Sequence, residues 1–375
     1  MDGLIVKGPF VGPSGYAHHT REFVKELARQ GVKVQLVELQ GWGGAAPDEA
    51  GDSWFSSLGA PVESGVVLHF AMPHQVEAVP HKRNVNYTMF EADRIPAAWV
   101  VRGARHDLVV VPTESSRRAW VESGVEESRV RVCPLGIDAG LFAREFQPVS
   151  LQVSGGKPLA EYRCRFLNVA ELRPRKNHVG LLRAWARATT RRDDAALVLK
   201  VGVYQPQLLG EFRHDLDVMQ RRLGKSLGEA APVFLLTTVC PDEAMPGLYA
   251  AATHYLSMSF GEGWDLPMME AAASGLQLIA PEHSAYTTYL NQTLAHMLPC
   301  EEVPAVFDGV LGREDAVFFK GANWWRPNED AAAALIRGII DATVPDKPSP
   351  RRLILDTFTW ERATSRLIEV LEEVA

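Results

Sequence analysis

Along most of this chain, short apolar runs alternate with stretches of helical periodicity. Leu4-Ile5-Val6 predicts a buried strand, ended by the turn Gly8-Pro9-Phe10-Val11-Gly12-Pro13-Ser14-Gly15. Phe23, Val24, Leu27 and Ala28 then share one helix face, Gly31 closes it, and Val32 to Leu39 reads as the next strand. That is a βαβ unit, and repeated βαβ units imply a parallel, doubly wound sheet. Further strands are expected at Val66-Val67-Leu68, Asn84 to Asn86, Val109-Val110-Val111 and Val130 to Val132. Between Ala143 and Glu161 the periodicity fades, and Gly155-Gly156 and Pro158 read as a linker. It resumes with strands at Phe166–Val169, Leu197–Val201, Val233–Leu236, Tyr255–Met258 and Leu276–Ala280. Helices are expected around Val179–Ala188, Leu208–Leu223 and Glu243–Ala251. A second polar break, Pro345 to Pro350, precedes two terminal helical segments. The expected fold class is α/β, with one Rossmann-like domain over residues 1–150 and a second over 160–350. Two such domains facing each other would leave a cleft at the carboxyl ends of both sheets, where open α/β sheets bind ligands.

Composition narrows the functional classes. The chain has 375 residues, 46% of them hydrophobic, which suffices for two full cores. A net charge of −7 argues against nonspecific nucleic-acid binding, which depends on neutralising phosphates. The four cysteines, Cys133, Cys164, Cys240 and Cys300, are far apart and suggest neither a disulfide framework nor a zinc site. No signal-peptide pattern opens the chain, and no apolar run approaches the ~18–20 residues of a membrane span. A cytoplasmic protein is expected.

The chemistry concentrates in Ser259-Phe260-Gly261-Glu262-Gly263-Trp264-Asp265-Leu266-Pro267-Met268-Met269-Glu270-Ala271. A helix is expected to begin here, with Asp265 as N-cap and Pro267 in the first turn, and Gly275 ends it. Free backbone N–H groups at a helix start suit phosphate, while carboxylates suit sugar hydroxyls. A site holding both suits a nucleotide sugar. In the same domain, Asn168-Val169-Ala170-Glu171-Leu172-Arg173-Pro174-Arg175-Lys176-Asn177 sets basic residues in a strand-to-helix loop, where they can neutralise a pyrophosphate leaving group. Tyr87-Thr88-Met89-Phe90-Glu91-Ala92-Asp93-Arg94-Ile95-Pro96 adds Glu91, which reads either as a site carboxylate or as an N-cap or ion-pair partner of Arg94. The first glycine loop is not GxGxxG, although Glu38 stands at the distance of a dinucleotide's ribose ligand. Trp324-Trp325 can stack on a base or pack in the core, and packing is favoured.

These segments resemble the donor-binding signature of the GT4 glycosyltransferases, a family with the two-domain GT-B fold. The likeness is strong from Phe166 to Pro281 and covers Val111-Pro112-Thr113-Glu114-Ser115 and Pro134-Leu135-Gly136-Ile137-Asp138 as well. Phe358-Thr359-Trp360-Glu361 resembles the start of the family's final helix, so about 358–375 is expected to pack back on the first domain. The resemblance implies that Glu270 grips the donor ribose, that Glu262 lies near the donor sugar, and that the amides of Gly263, Trp264, Asp265 and Leu266 approach phosphate and sugar. It implies pyrophosphate binding by Lys176 and Arg175, with Arg173 as a substitute for a family arginine that Ala170-Glu171-Leu172 lacks. Gly12, Ser14 and Gly15 would let donor phosphate and acceptor approach the first loop. Glu91 takes the place of a cleft histidine, and Asp265 that of a glycine, which leaves the donor sugar open.

The implied activity is retaining transfer of a sugar from a nucleoside-diphosphate donor to an acceptor hydroxyl. No metal is expected, and no cofactor other than the donor itself. Closure of the two domains is expected to complete the site. The acceptor, whether glycan, small molecule, protein or lipid-linked, is not named by the motifs, and peripheral membrane contact is open but not indicated. Three other readings remain: a non-catalytic nucleotide-sugar binder on the same fold, a nucleotide-sugar 2-epimerase, and an NAD-dependent oxidoreductase.

Overall fold

In a computed structural model of the chain, residues 1–39, 53–152, 156–202, 206–238 and 240–375 are described. Gly155 of the expected linker lies outside them. The chain divides into two compact units, Met1–Asp138 with Thr357–Ala375, and Ala139–Asp356.

The first unit contains β1 (Gly3–Gly8), α1 (Gly15–Arg29), β2 (Lys33–Glu38), α2 (Ser53–Ser57), β3 (Val66–Phe70), β4 (Arg83–Tyr87), α3 (Ala97–Gly103), β5 (Leu108–Val111), α4 (Glu114–Glu122) and β6 (Val130–Val132). Its six strands pair in parallel in the order β2-β1-β3-β4-β5-β6. The core forms because β3 is buried on both faces while α1 turns Phe23, Val24 and Leu27 inward. Phe23 stacks on Phe70 at 5.3 Å between ring centroids. Each such ring contributes about 1.5–3 kcal/mol through burial.

The second unit begins with α5 (Ala139–Phe142), β7 (Cys164–Glu171), α6 (His178–Ala188), β8 (Ala195–Gly202), α7 (Pro206–Leu223), β9 (Val233–Leu236), α8 (Met245–Ala250), β10 (His254–Leu256) and α9 (Leu266–Ala273). It continues with β11 (Gln277–Pro281), α10 (Tyr286–Tyr289), β12 (His296–Leu298), β13 (Cys300–Pro304), α11 (Ala316–Phe319), β14 (Asn323–Pro327), α12 (Glu329–Ile340) and α13 (Arg351–Thr357). Six parallel strands run β12-β11-β10-β7-β8-β9, and β13 with β14 forms a separate antiparallel pair. Sequence periodicity did not predict that pair, because its strands are half-exposed and carry charges. Phe166 and Trp185 meet edge to face at 5.3 Å in the core, and the Trp185 ring N–H donates to the Ala231 carbonyl at 2.9 Å.

The chain returns to the first unit with α14 (Trp360–Glu372), whose Trp360 ring packs edge-on against Phe23 at 5.3 Å. The docking point is Gly136, where a Cβ would lie 2.3 Å from the Trp360 nitrogen. A glycine is therefore needed for the Ile137 N–H to donate to the Phe358 carbonyl at 2.9 Å.

Candidate functional site

β7 and β10 are neighbours, and the segments leaving their carboxyl ends interlock. After β7, a short 3-10 turn from Pro174 to Lys176 ends at Asn177, held at φ 51°. Asn177 caps α6 by accepting from the Gly180 N–H at 3.1 Å, while its amide donates to the Met258 carbonyl at 3.0 Å. The Phe260 N–H donates to the Arg175 carbonyl at 2.9 Å, and the Arg175 guanidinium donates to the Gly261 carbonyl at 2.7 Å. The Trp325 N–H donates to the Phe260 carbonyl at 3.0 Å.

At the centre lies Glu262, only 4% exposed. Its Oε2 accepts from Arg175 at 2.8 Å and its Oε1 from Lys176 at 2.7 Å. Burial alone would raise this carboxyl, but Arg175 and Lys176 outweigh it and hold the pKa at about 2. The Glu262 N–H donates to Ser284 Oγ at 3.2 Å. Ser284 Oγ lies 2.8 Å from His283 Nδ1, and His283 Nε2 lies 2.8 Å from the Ser259 carbonyl. A carbonyl can only accept, so Nε2 carries the proton and Nδ1 accepts from Ser284. Burial lowers the His283 pKa to about 4, which keeps that neutral tautomer in place.

Glu270 is half-buried on α9, its Oε2 accepting from the Tyr249 hydroxyl at 2.6 Å. Gly263, Trp264 and Asp265 are buried, and Leu266 is half-buried. Asp265 occupies the expected N-cap position, but its side chain makes no cap bond. Its backbone stands at φ 66°, which turns the carboxylate to α10, where Oδ2 accepts from the Tyr286 hydroxyl at 2.6 Å. The Met268 N–H faces the carboxylate and lowers its pKa without meeting hydrogen-bond geometry. Burial first, and Glu262 second, nevertheless push Asp265 up to about 6.

Arg173 is placed differently from Arg175. It pairs with Asp315 at 3.2 Å and Glu314 at 3.6 Å, with Glu171 at 4.0 Å. The turn thus gathers Arg175 and Lys176 around Glu262 and leaves Arg173 among acids. Trp324 packs, as favoured, against Phe260, Phe307 and Phe319, while Trp325 stacks on His283 at 5.4 Å. A cavity of about 820 Å³ lies against Pro174, Asn177, Phe260 and Trp324, but Lys176, Glu262 and Glu270 are not in its walls. We therefore place the candidate site at the charged cluster rather than in the cavity.

In the first unit, Gly12 takes φ 93°, and Ser14 caps α1 by accepting from the Ala17 N–H at 3.1 Å. Gly15 is the first residue of that helix, with open space where a Cβ would stand. Arg21 donates to the carbonyls of Phe10 at 3.1 Å and Gly12 at 2.9 Å. Glu38 accepts from the Phe10 N–H at 3.0 Å, so the carboxylate spaced like a ribose ligand instead holds the loop. Arg94 pairs with the neighbouring Asp93 at 2.9 Å. Glu91 is half-buried and contributes to the raised pKa of Tyr16, after the burial of that ring.

Ser257, His283, Ser284 and Tyr286 were not singled out in the sequence. Their signal was positional: they follow β10 and β11 at the same sheet end as the motif loops. Among the described residues no cluster of three or more His, Cys, Asp or Glu side chains could hold a metal ion, and no helix is long and apolar enough to cross a membrane.

Two parallel six-stranded sheets with flanking helices match the GT-B architecture. Anabaena HepE in complex with UDP-glucose has this fold at TM-score 0.64 and 13% identity, over 99% of each chain. An α,α-trehalose-phosphate synthase (UDP-forming) from Burkholderia xenovorans matches at TM-score 0.65 and 13% identity, over 99% of this chain and 100% of that one. No family model matches the chain. Its curated relatives are glycosyltransferases, in line with the GT4 resemblance. The D-inositol 3-phosphate glycosyltransferase of Acidothermus cellulolyticus is 27% identical over 229 residues, 60% of this chain and 47% of the relative. The O-antigen chain mannosyltransferase B of Escherichia coli is 31% identical over 114 residues, 30% of this chain and 27% of the relative. The match thus spans less than half the length of either relative.

Proposed function

We propose that this protein is a retaining glycosyltransferase that moves a sugar from a nucleoside-diphosphate donor to an acceptor hydroxyl. The observation that carries the reading is Glu262 held between Arg175 and Lys176 where β7 and β10 end. A Lys ammonium has three donors, and Glu262 uses one of them, so two remain for phosphate oxygens. Arg175 and Lys176, with the N-terminal amides of α9, then stabilise charge growing on the leaving diphosphate. Such preorganised electrostatics is commonly the largest catalytic contribution. A donor phosphate oxygen accepts the acceptor's proton, and the two cations supply the positive charge that a metal would otherwise bring. Glu270 takes the ribose hydroxyls and Glu262 the sugar. UDP-sugars are the first donors to test, since HepE was captured with UDP-glucose. All four cysteines are free thiols, which supports work in a reducing cytoplasm.

The test is a thermal-shift panel of nucleotide sugars followed by product analysis. A donor at 100 times its dissociation constant adds about 2.7 kcal/mol of stability. Proton NMR of the product should show retained anomeric configuration, with the rate unchanged by EDTA. Inverted configuration removes the retaining assignment, and loss of activity in EDTA removes metal independence. Product formed without acceptor indicates the epimerase instead. Stabilisation without turnover indicates a binding protein.

A further inference from the structure

The residue preceding α9 sits in the left-handed region, where glycine is at ease and an L-residue is strained. Here it is Asp265, 8% exposed. Its Oδ1 has no hydrogen-bond partner among the described residues. A carboxylate that is buried, strained and half-satisfied is costly, and a costly arrangement is kept for what it holds. What it holds is visible in the hydrogen bonds. The Tyr286 hydroxyl donates to Asp265 Oδ2 at 2.6 Å, so it must accept from Ser257 Oγ, 2.7 Å away. Ser257 is fixed in turn, because its N–H donates to the Ile279 carbonyl of β11 at 3.0 Å. The Tyr289 hydroxyl, one turn further along α10, donates to the Trp264 carbonyl at 3.0 Å. Side chain and peptide of one turn are thus both tied to α10.

We propose that Asp265 is a positioning residue: through Tyr286 and Ser257 it holds the turn between Glu262 and α9 in the conformation that presents Glu262 and Glu270 to a donor. The inference rests on the donor-site reading above. What the carboxylate does here is accept a hydrogen bond, so an amide can replace it and a glycine cannot.

Calorimetry with UDP, GDP and ADP tests this on the full chain and on Asp265→Gly, Asp265→Asn, Tyr286→Phe and the double variant Asp265→Gly/Tyr286→Phe. Wild type is expected to bind at least one diphosphate. Asp265→Gly and Tyr286→Phe should each weaken binding about tenfold, the effect of one charge-assisted hydrogen bond. The double variant should lose no more than either single one, because both cut one route. Asp265→Asn should stay within about twofold of wild type. The melting temperature of Asp265→Gly should hold within about 2 °C, since relief of the left-handed backbone offsets the lost bond. Weaker binding without unfolding separates positioning from plain stability. Equal affinity of wild type and Asp265→Gly overturns the inference and leaves the donor reading standing. Additive losses in the double variant also overturn it. Failure of wild type to bind any diphosphate overturns both. Should Tyr286→Phe not fold, the contrast between Asp265→Gly and Asp265→Asn still decides.

Discussion

The two glycine-containing loops that follow β1 and β10 both leave a strand of a parallel six-stranded sheet, yet they are finished in opposite ways. The loop of the first unit closes on itself: Ser14 caps α1, Arg21 takes two loop carbonyls, and Glu38 takes the Phe10 N–H. The loop of the second unit leaves α9 without a side-chain cap and gathers Glu262, Arg175 and Lys176 beside it. A side-chain cap takes one of the open amides at a helix start, as Ser14 takes that of Ala17, whereas an uncapped start beside paired charges leaves that donor open to a ligand. Location at a strand end is therefore not enough to identify a site. The disposition of hydrogen-bond donors decides.

Breaking the charged loop should have the largest effect. Lys176→Ala is expected to lower transfer about 10²–10³-fold in kcat/KM, the usual loss of one preorganised donor to a developing charge. Retention of wild-type turnover would erase the contrast between the loops. Glu270→Ala should come next, raising the donor KM about ten- to thirtyfold with a smaller change in kcat, as expected for a ribose contact that ground and transition states share.

Acid sharpens the comparison through two carboxyls of opposite sign. Glu262 is lowered from 4.5 to about 2, so its contribution to stability is complete above pH 4.5 and is lost as pH falls toward 2. Asp265 is raised from 3.8 to about 6, so between these values its contribution declines as pH rises. Thermal unfolding from pH 3 to 8 should show Glu262→Gln removing the acid loss. Asp265→Asn should raise the melting temperature at pH 8 by a few degrees, and an unchanged profile in both variants would contradict the assigned charges. The smallest effect belongs to the first loop. Ser14→Ala should cost about 1 kcal/mol in urea denaturation, the worth of an N-cap, and a change near zero would deny that the loop is self-contained.

Much of the architecture was legible because burial leaves a period. β7, β8, β9 and β11 fall on apolar runs, and Gly275, at φ 84°, ends α9 as its type predicts. The pair β13 and β14 was not legible, since its partners are 19 to 27 residues apart and its faces mix charge with Trp324 and Trp325. The motif loops could be found because Glu262, Arg175 and Lys176 stand in recognisable strings. Their mutual pairing could not be read, because it joins segments 86 or 87 residues apart. Asp265 shows the limit most clearly. Its type suggested a cap, but a positive φ aims its carboxylate at Tyr286, and no local pattern encodes that direction.

The backbone bonds of Phe260 bear on how this loop can be moved between proteins. Its N–H is tied to Arg175 and its carbonyl to Trp325, while His283 holds the neighbouring Ser259. The stretch from Ser259 to Glu270 is therefore not a portable cassette. A graft that carries those residues alone arrives without the peptide groups that shape it, and segments 173–177, 283–284 and 324–325 must travel with it as one discontinuous module.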